Sequence, residues 1–362
     1  MRLTLTSFAL LVVSSFGQPL NDFDEASRDY TLHAVNGVDN YGQTQSSFTV
    51  LQIPDMHYTG NPKYPCNGPP FNPCWESNMT DFINELLDQV KPNIVVFTGD
   101  QVENTGIRHT AEEVKKAIDT YSTPVAQRQI PWAMVFGNHD EGSSFTRTQM
   151  LNYIASRPYA YSQSGPTNVD GKGNYELQVQ TSNGKTSFRM YFLDTGVKGS
   201  ISKKQNDYIR QLAASHKNEN ALAVMFYHIP VPEYILGPSE TITYGHQGEK
   251  VSNGPQSGLM DTIVQSNYHL HVYAAHIGVV GDVKATFVGH DHYNDYCIER
   301  RGVQLCYGGG VGYGAAYGSS SLPRSARVIQ WKRNSTDEVL TTWKQAKGDF
   351  SIEEYLLFKR GV

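Results

Sequence analysis

Short apolar runs alternate along this chain with longer segments in which apolar residues recur every three or four positions. The short runs predict buried strands, and the longer amphipathic segments predict helices. The predicted strands are Ser47–Ile53, Asn93–Phe97, Trp132–Phe136, Phe188–Leu193, Ala221–Tyr227 and Ala285–Val288. The predicted helices are Met79–Val90, Thr110–Tyr121, Thr146–Ala155 and Ser202–Ser215. Strands that alternate with helices are typical of an α/β fold.

The C-terminal part of the chain has a different pattern. Val303–Tyr307, Ala326–Trp331 and Val339–Trp343 alternate in character and predict antiparallel strands. The sequence has no internal repeat and no low-complexity linker, so residues 44–345 are predicted to form one domain. Residues 18–43 are then an N-terminal segment, and residues 346–362 are a C-terminal tail.

Residues 1–17 have the pattern of a secretory signal peptide. Arg2 is followed by the apolar run Leu3–Val13, and the small residues Ser15 and Gly17 precede the predicted cleavage point. The apolar run is too short to span a membrane. The sequence therefore predicts a secreted protein without a membrane anchor, with the vacuole or lysosome as alternative destinations of the same pathway.

Composition narrows the class of protein. Hydrophobic residues make up 39% of the chain and charged residues 18%, as in globular proteins. The net charge is −5, and the sequence contains no basic run, so a nucleic acid is not an expected partner.

The four cysteines and two sequons fit the secretory route. Four cysteines allow three disulfide pairings, and we favour Cys66–Cys74 with Cys297–Cys306 because each pair closes a short loop. A zinc site is the alternative, but the chain has no pair of cysteines two residues apart. Asn78 and Asn334 each begin a sequon and are predicted glycosylation sites.

Metal-binding residue types directly follow five of the predicted strands. In open α/β sheets, ligands gather at the carboxyl ends of the strands, so these residues are expected to meet at one edge. They are, in chain order, Asp55 and His57, Asp100, Asn138 with His139 and Asp140, His228, and His290 with His292. The Asp-x-His and Gly-Asp motifs are common turn sequences when taken alone, whereas Gly-Asn-His-Asp and Gly-His-Asp-His are more specific, and the argument depends on all five signals together.

The chemistry of this set favours a pair of metal ions. Carboxylate, imidazole and amide ligands suit Mn, Fe or Zn. Asp100 could bridge two ions, and water bound to both would lose a proton near neutral pH and attack phosphorus. The glycines before Asp100, Asn138 and His290 are expected to let the backbone turn sharply where each strand ends.

The ordered motifs VLQIPDMHY, VVFTGDQV, IPWAMVFGNHD, YFLDTG, FYHIPVPEY, TFVGHDHYNDYC and LCYGGGVGYG resemble those of the calcineurin-like metallophosphoesterase superfamily. The resemblance runs from about Thr49 to Trp343 and is closer still to the purple-acid-phosphatase-like group of plants and fungi. It implies a four-layer αββα sandwich with a dinuclear metal site at the carboxyl ends of the strands.

The resemblance also implies a role for each residue. The implied ligands of one metal are Asp55, His57, Asp100 and His292. The implied ligands of the other are Asp100, Asn138, His228 and His290. His139 would protonate the leaving oxygen or stabilise the transition state, and Asp140 would hold and polarise His139.

Two positions depart from the true purple acid phosphatases. Those enzymes have a tyrosine three residues after the Gly-Asp aspartate, whereas this chain has Glu103, and they usually lack the histidine that stands here as His57. We therefore expect no tyrosinate-to-iron colour. Both ions could be divalent, or one could be Fe(III), and the sequence leaves Mn, Fe and Zn open. For Glu103 we slightly favour a solvated side chain over one that packs behind the ligands.

Other features have weaker interpretations. Tyr58, Tyr293 and Tyr313 are candidate substrate contacts, and Gly308–Gly314 is predicted to be a tight turn near the site. The loops Gly60–Glu76 and Gly237–Gly258 are expected to cap the cleft, and the second contains His246 and Glu249. His269, His271 and His276 form another local cluster, which we interpret as surface or strand histidines.

The motifs and the family resemblance allow two functions. The first is a secreted hydrolase of phosphate mono- or diesters, or of both. The alternative is a catalytically silent secreted binding protein that keeps the metallophosphoesterase fold, as some plant relatives are labelled inactive by similarity. The complete set of predicted ligands, together with His139, favours the enzyme.

Overall fold

Two β-sheets with helices on their outer faces make up the computed structural model. It describes residues 29–68, 71–104, 109–216, 218–264, 281–314, 316–318 and 322–362. The predicted signal peptide and the cluster His269, His271 and His276 lie outside these residues.

The strands are given in chain order. They are β1 (Leu32–His33), β2 (Val35–Val38), β3 (Thr44–Ile53), β4 (Ile94–Thr98), β5 (Trp132–Val135), β6 (Tyr175–Gln180), β7 (Thr186–Phe192), β8 (Leu222–Phe226), β9 (Val283–Val288), β10 (Cys297–Arg300), β11 (Val303–Tyr307), β12 (Ser325–Arg333), β13 (Asp337–Ala346) and β14 (Tyr355–Gly361). The helices are α1 (Ser77–Val90), α2 (Ala111–Gln127), α3 (Arg147–Ala155), α4 (Lys203–Ser215) and α5 (Leu259–Ile263).

The strand order of the two sheets explains how the motifs are brought together. The first sheet has the order β1-β6-β7-β8-β9-β11-β10, and its strands β7, β8, β9 and β11 are parallel to their neighbours in that run. The second has the order β14-β13-β12-β3-β4-β5, with β2 also paired to β3. Because β3, β4 and β5 are parallel, their carboxyl ends lie at the same edge.

Three hydrophobic clusters define four layers. One lies between the second sheet and the helices α1, α2 and α3, with Phe82 and Ile118 buried in it. The central cluster lies between the two sheets and contains Val50 and Phe226. The last joins the first sheet to α4 and α5 and contains Ile209. The predicted αββα sandwich is therefore confirmed.

Side chains cap the starts of three helices. Thr110 accepts a hydrogen bond from the backbone of Glu113, whose side chain in turn accepts one from the backbone of Thr110, so α2 begins with a capping box. The same reciprocal arrangement begins α3 at Thr146 and α4 at Ser202.

The sequence pattern missed five strands: β1, β2, β6, β10 and β14. The strand β14 lies in residues 346–362, which were predicted to be a tail, and pairs with β13, so the sheet extends past residue 345. Residues 18–43 likewise contribute β1 and β2 to the two sheets. Of these, β1, β10 and β14 lie at the ends of the sheets and β2 pairs with β3, whereas β6 lies between β1 and β7 and has an alternating burial pattern.

Both favoured disulfides are present, Cys66–Cys74 and Cys297–Cys306. Among the described residues, no helix combines the length and the apolar character that a membrane crossing requires.

Candidate metal centre

The five strand-end motifs converge at one place, and both sheets contribute to it. The strands β3, β4 and β5 of the second sheet lead into Asp55, His57, Asp100 and Asn138. The strands β8 and β9 of the first sheet lead into His228, His290 and His292. The Asp55 carboxylate accepts a hydrogen bond from the backbone N–H of His290 at 2.9 Å, which joins the first motif to the last.

Two groups of these side chains share Asp100, and a third consists of His57, Glu103 and His139. The ligand atoms within each group lie within 4.8 Å of one another. The first group is Asp55, His57, Asp100 and His292, and the second is Asp100, His228 and His290. Asn138 adjoins the second group, since its Oδ1 lies 3.1 Å from Nε2 of His228. The structure thus brings together the residues that the resemblance implied for the two metals, and their ligation stays a prediction.

The hydrogen bonds around His228 leave a place for a cation. Its Nδ1 lies 2.8 Å from the carbonyl oxygen of Thr98, which can only accept, so Nδ1 carries a proton. In the neutral ring, Nε2 is then a lone pair, and it faces Oδ2 of Asp100 at 3.2 Å and Oδ1 of Asn138 at 3.1 Å. In this neutral form, the three atoms are all hydrogen-bond acceptors and no proton lies between them. Such an arrangement fits a metal ion.

In the first group, His57 and His292 also leave a place for a cation. Nδ1 of His57 lies 2.9 Å from the carboxylate of Glu103, and its Nε2 lies 3.1 Å from Nε2 of His292. Ligand atoms about 2.1 Å from a shared ion lie roughly 3 Å from each other. The residues present therefore fit a bound metal in both groups.

Burial and charge set the protonation of these groups. Burial lowers the pKa of His290 to about 3 and, with repulsion from His57, lowers that of His292 well below its usual value. Both rings are then neutral, which is the form that binds metals. Burial also opposes a charge on His228, but the carboxylate of Asp100 outweighs it and raises the pKa of His228 to about 9. A proton on Nε2 there occupies the place that a metal ion would take.

The two carboxyl groups are affected in opposite directions. Burial raises the pKa of Asp55 well above its usual value, and the charge of Asp100 adds to this effect. Burial acts on Asp100 in the same direction, but His228 and His57 outweigh it and lower the pKa of Asp100 well below its usual value. The carboxylate that both groups share is thus the one that its neighbours keep ionised.

Four of the predicted ligands have a left-handed backbone conformation that non-glycine residues rarely adopt. The φ angle is 51° at Asp55, 52° at His57, 52° at Asp100 and 76° at His290. Such conformations are costly and persist at functional sites, where the surrounding structure imposes them.

The glycines before the motifs were predicted to let the chain turn, and this is correct only for Gly99, which has a φ of 92°. Gly137 and Gly289 have ordinary φ angles. A Cβ at Gly137 would collide with the carboxylate of Asp100, and one at Gly289 would lie 2.5 Å from that of Asp55. Glycine is therefore required at both positions because a carboxylate of the site lies close to the backbone.

Glu103 is buried, so the slightly favoured interpretation as a solvated side chain was wrong. Only 2% of its side chain is exposed, and its carboxylate lies 2.9 Å from Nδ1 of both His57 and His139. Burial alone would lower the pKa of His139, but the hydrogen bond to Glu103 and the charge of Asp100 raise it. Glu103 therefore makes the contact with His139 that was predicted for Asp140.

Asp140 has a different set of partners. Its fully buried carboxylate accepts hydrogen bonds from the backbone N–H groups of Gly137, Asp100 and Val102. Burial raises the pKa of Asp140 to about 6, and the charge of Asp100 adds to this effect. Asp140 thus holds the turn after β5 against the turn after β4, and its predicted contact with His139 is replaced by the Glu103 contact.

Two of the three candidate tyrosines do not reach the cleft. Tyr58 is fully buried and shares a hydrogen bond with Thr80. Tyr313 is 1% exposed and packs against Phe71. Both are packing residues, and their prediction as substrate contacts was wrong. Tyr293 is half-buried beside His292, at 6.3 Å between ring centroids, and stays a candidate.

The loop Gly237–Gly258 supports the last motif from outside. Glu249 accepts a hydrogen bond from the backbone N–H of Tyr293 at 2.7 Å, and Gly248 donates one to the carbonyl of Tyr293. His246 contacts Asp295 through its backbone N–H. Whether this loop or Gly60–Glu76 caps a substrate stays a prediction.

Comparison with known proteins establishes the family of this chain. The sequence profile of the calcineurin-like phosphoesterase family matches residues 48–294, which include every predicted ligand. This chain belongs to the calcineurin-like phosphoesterase family. The family explains why the strand-end motifs occur in this order and why they meet at the edge shared by the two sheets.

Individual relatives within this family come from plants and fungi. The chain is 33% identical to "Probable inactive purple acid phosphatase 29" of Arabidopsis thaliana over 314 residues, which cover 78% of this chain and 76% of that protein. It is 31% identical to "Phosphatase DCR2" of Saccharomyces cerevisiae, over 84% of this chain and 54% of that protein.

A solved structure supports the fold. A dimetal phosphatase from Danio rerio superposes with a TM-score of 0.54 at 15% identity, covering 86% of this chain and 98% of that one.

Proposed function

We propose that this chain is a secreted phosphoesterase that hydrolyses phosphate mono- or diesters with two metal ions. The observation that supports this most is the pair of side-chain groups joined by the buried Asp100. One ion would be held by Asp55, His57, Asp100 and His292. The other would be held by Asp100, Asn138, His228 and His290.

The ligand set narrows the choice of metal. It consists of imidazole, carboxylate and amide groups with no sulfur, which suits Mn, Fe or Zn. Two such ions side by side neutralise the phosphoryl oxygens and activate water for an in-line displacement. No tyrosine stands at the position of Glu103, so we expect no iron–tyrosinate colour.

His139 is the proposed acid. Its Nδ1 is hydrogen-bonded to Glu103, so the proton that it exchanges with a substrate is carried on Nε2. The side chain is 28% exposed and its ring centroid lies 4.9 Å from that of His57. This position lets His139 donate a proton to the leaving oxygen, while Glu103 stabilises the charged ring before transfer.

The secretory route is part of the proposal. Two disulfides in a chain with no free cysteine among its described residues suit an oxidising compartment. Asn78 and Asn334 are both partly exposed and are the proposed glycan acceptors.

The alternative is a binding protein that holds the metals without turnover. Three relatives are named probable inactive phosphatases, which favours testing it directly. Purified protein with measured metal content is assayed with chromogenic phosphate mono- and diesters. Turnover that a chelator abolishes supports the enzyme, whereas two bound ions without turnover on any ester would establish the binder.

Two variants test the proposed roles. His139→Ala is expected to retain both ions and lose about 10²–10⁴ in turnover, which is the contribution of a positioned acid. Asp100→Asn is expected to lose both ions, because Asp100 belongs to both groups. His33→Ala, an exposed histidine on β1, is the matched control. Two ions retained in Asp100→Asn would refute the bridging role.

A further inference from the structure

The glycine-rich segment Gly308–Gly314 has no part in the proposed reaction, yet it lies directly behind the predicted ligands. A Cβ at Gly310 would lie 2.5 Å from the backbone carbonyl of His292. One at Gly312 would lie 2.6 Å from that of Asp55. Real Cβ atoms do not approach this closely, so glycine is required here for close backbone contact. The segment forms a wall of the site.

Tyr317 occupies the space that these glycines leave. A Cβ at Gly310 or at Gly312 would collide with the Tyr317 side chain as well. The side chain is fully buried, and its hydroxyl donates a hydrogen bond to the backbone carbonyl of Asp55 at 2.7 Å. The φ of Asp55 is 51°, so this bond holds a residue whose backbone conformation is costly.

The ring of Tyr317 contacts two further predicted ligands. It stacks on His292 with 4.3 Å between centroids and 20° between planes. It meets His57 edge-on, with 6.0 Å between centroids. These contacts restrict the rotation of both imidazoles, as outer groups around a metal ligand do.

Arg324 holds Tyr317 in place. Its guanidinium carbon lies 4.5 Å from the centroid of the Tyr317 ring, and its Nε donates to the carbonyl of Gly312 at 2.6 Å. Arg324 is only 2% exposed, so this cation–π contact is shielded from water and is strengthened accordingly.

We propose that Tyr317 is a positioning residue for one of the two metal ions, the one assigned to Asp55, His57, Asp100 and His292. The inference rests on the proposed function. Among the described residues, the contacts of Tyr317 with predicted ligands are to Asp55, His57 and His292, and none of these belongs to the group of Asp100, His228 and His290. Loss of Tyr317 should therefore affect the two ions unequally.

The test measures metal content and does not depend on activity. Full-length wild-type protein, Tyr317→Phe and Tyr317→Leu are loaded with Mn or Zn and dialysed against increasing concentrations of a chelator. Bound metal is then counted by elemental analysis, and the melting temperature is recorded. Tyr175→Phe is the matched control, because the buried Tyr175 hydroxyl also donates to a backbone carbonyl, that of Met134, at 2.7 Å.

Tyr317→Phe is expected to release one ion at about 10-fold lower chelator concentration, as is usual for a group that orients metal ligands. The second ion should leave as in the wild type, and Tyr317→Leu, which also loses the ring, should release the first ion more easily still. Tyr175→Phe should match the wild type.

An unchanged release profile in both Tyr317 variants, or an equal loss of both ions, would overturn the inference and leave the proposed function standing. A wild-type protein that held no ions would overturn both. A melting temperature of Tyr317→Phe close to that of the wild type would show that a selective loss does not come from unfolding.

Discussion

At the scale of single residues, the site depends on how each histidine nitrogen is used. Glu103 illustrates this best, because one buried carboxylate contacts Nδ1 of both His57 and His139. Nε2 of His57 would then be available to a metal, and Nε2 of His139 to a substrate. A carboxylate in this position also favours the charged form of His139. In the proposed reaction, the same side chain would couple the metal ligands to the acid.

Replacing Glu103 by glutamine tests this coupling. Glu103→Gln is expected to lower turnover by about 10–100-fold, because groups that orient metal ligands contribute that much. Steady-state kinetics alongside metal analysis would measure it. Glu112→Gln, a change to an exposed carboxylate on α2, is the control and should leave turnover unchanged. Wild-type turnover in Glu103→Gln would contradict the role.

At the scale of elements, edge strands complete the sheets. The strand β14 pairs with β13 and buries Leu357. Arg360 on the same strand forms an ion pair with Glu338, a fully buried carboxylate that also accepts a hydrogen bond from the Trp331 indole at 2.9 Å. The C-terminal residues therefore carry a contact that the interior of the second sheet requires.

Loss of that contact should destabilise the protein. Arg360→Ala leaves the buried Glu338 without its cation, and an unsatisfied buried group of this kind costs about 1–3 kcal/mol. Denaturant unfolding would measure the loss. Lys359→Ala is the matched control, because its ion pair with Asp337 is exposed and such pairs contribute less than about 1 kcal/mol. Equal effects of the two substitutions would refute the argument.

At the scale of the whole molecule, the candidate metal centre joins the two sheets. Asp55, Asp100 and Asn138 follow strands of the second sheet, whereas His228 and His290 follow strands of the first. Each predicted metal would therefore have ligands from both sheets. Bringing buried carboxylates and imidazoles together costs free energy, and a bound cation offsets that cost.

Metal removal should accordingly lower thermal stability. A ligand present at 100 times its Kd stabilises the folded state by about 2.7 kcal/mol, and about 1 kcal/mol shifts the melting temperature by roughly 2–4 °C in a large domain. Differential scanning calorimetry with and without chelator would record a drop of several degrees that added metal reverses. In Asp100→Asn the melting temperature should not respond to metal. A melting temperature of the wild-type protein that does not change with chelator would contradict the proposed stabilisation by metal.

Much of the fold could be predicted from the sequence, because local patterns determine it. The long strands and the four main helices follow from apolar periodicity and from caps such as Thr110. The edge strands β1, β2 and β14 did not follow, since β1 and β2 have only two and four residues and the apolar residues of β14 do not alternate. Pairing with a neighbour decides whether such a segment is a strand.

The sequence by itself determined which residues could bind metals, because their types and strand-end positions are local facts. Only the tertiary structure decided which carboxylate contacts His139, since Asp140 is its neighbour in the chain whereas Glu103 follows a different strand. It likewise decided that Gly137 and Gly289 serve close approach, and that Tyr317, far along the chain from Asp55, lies behind it. Contacts between distant segments depend on packing, which local patterns do not encode.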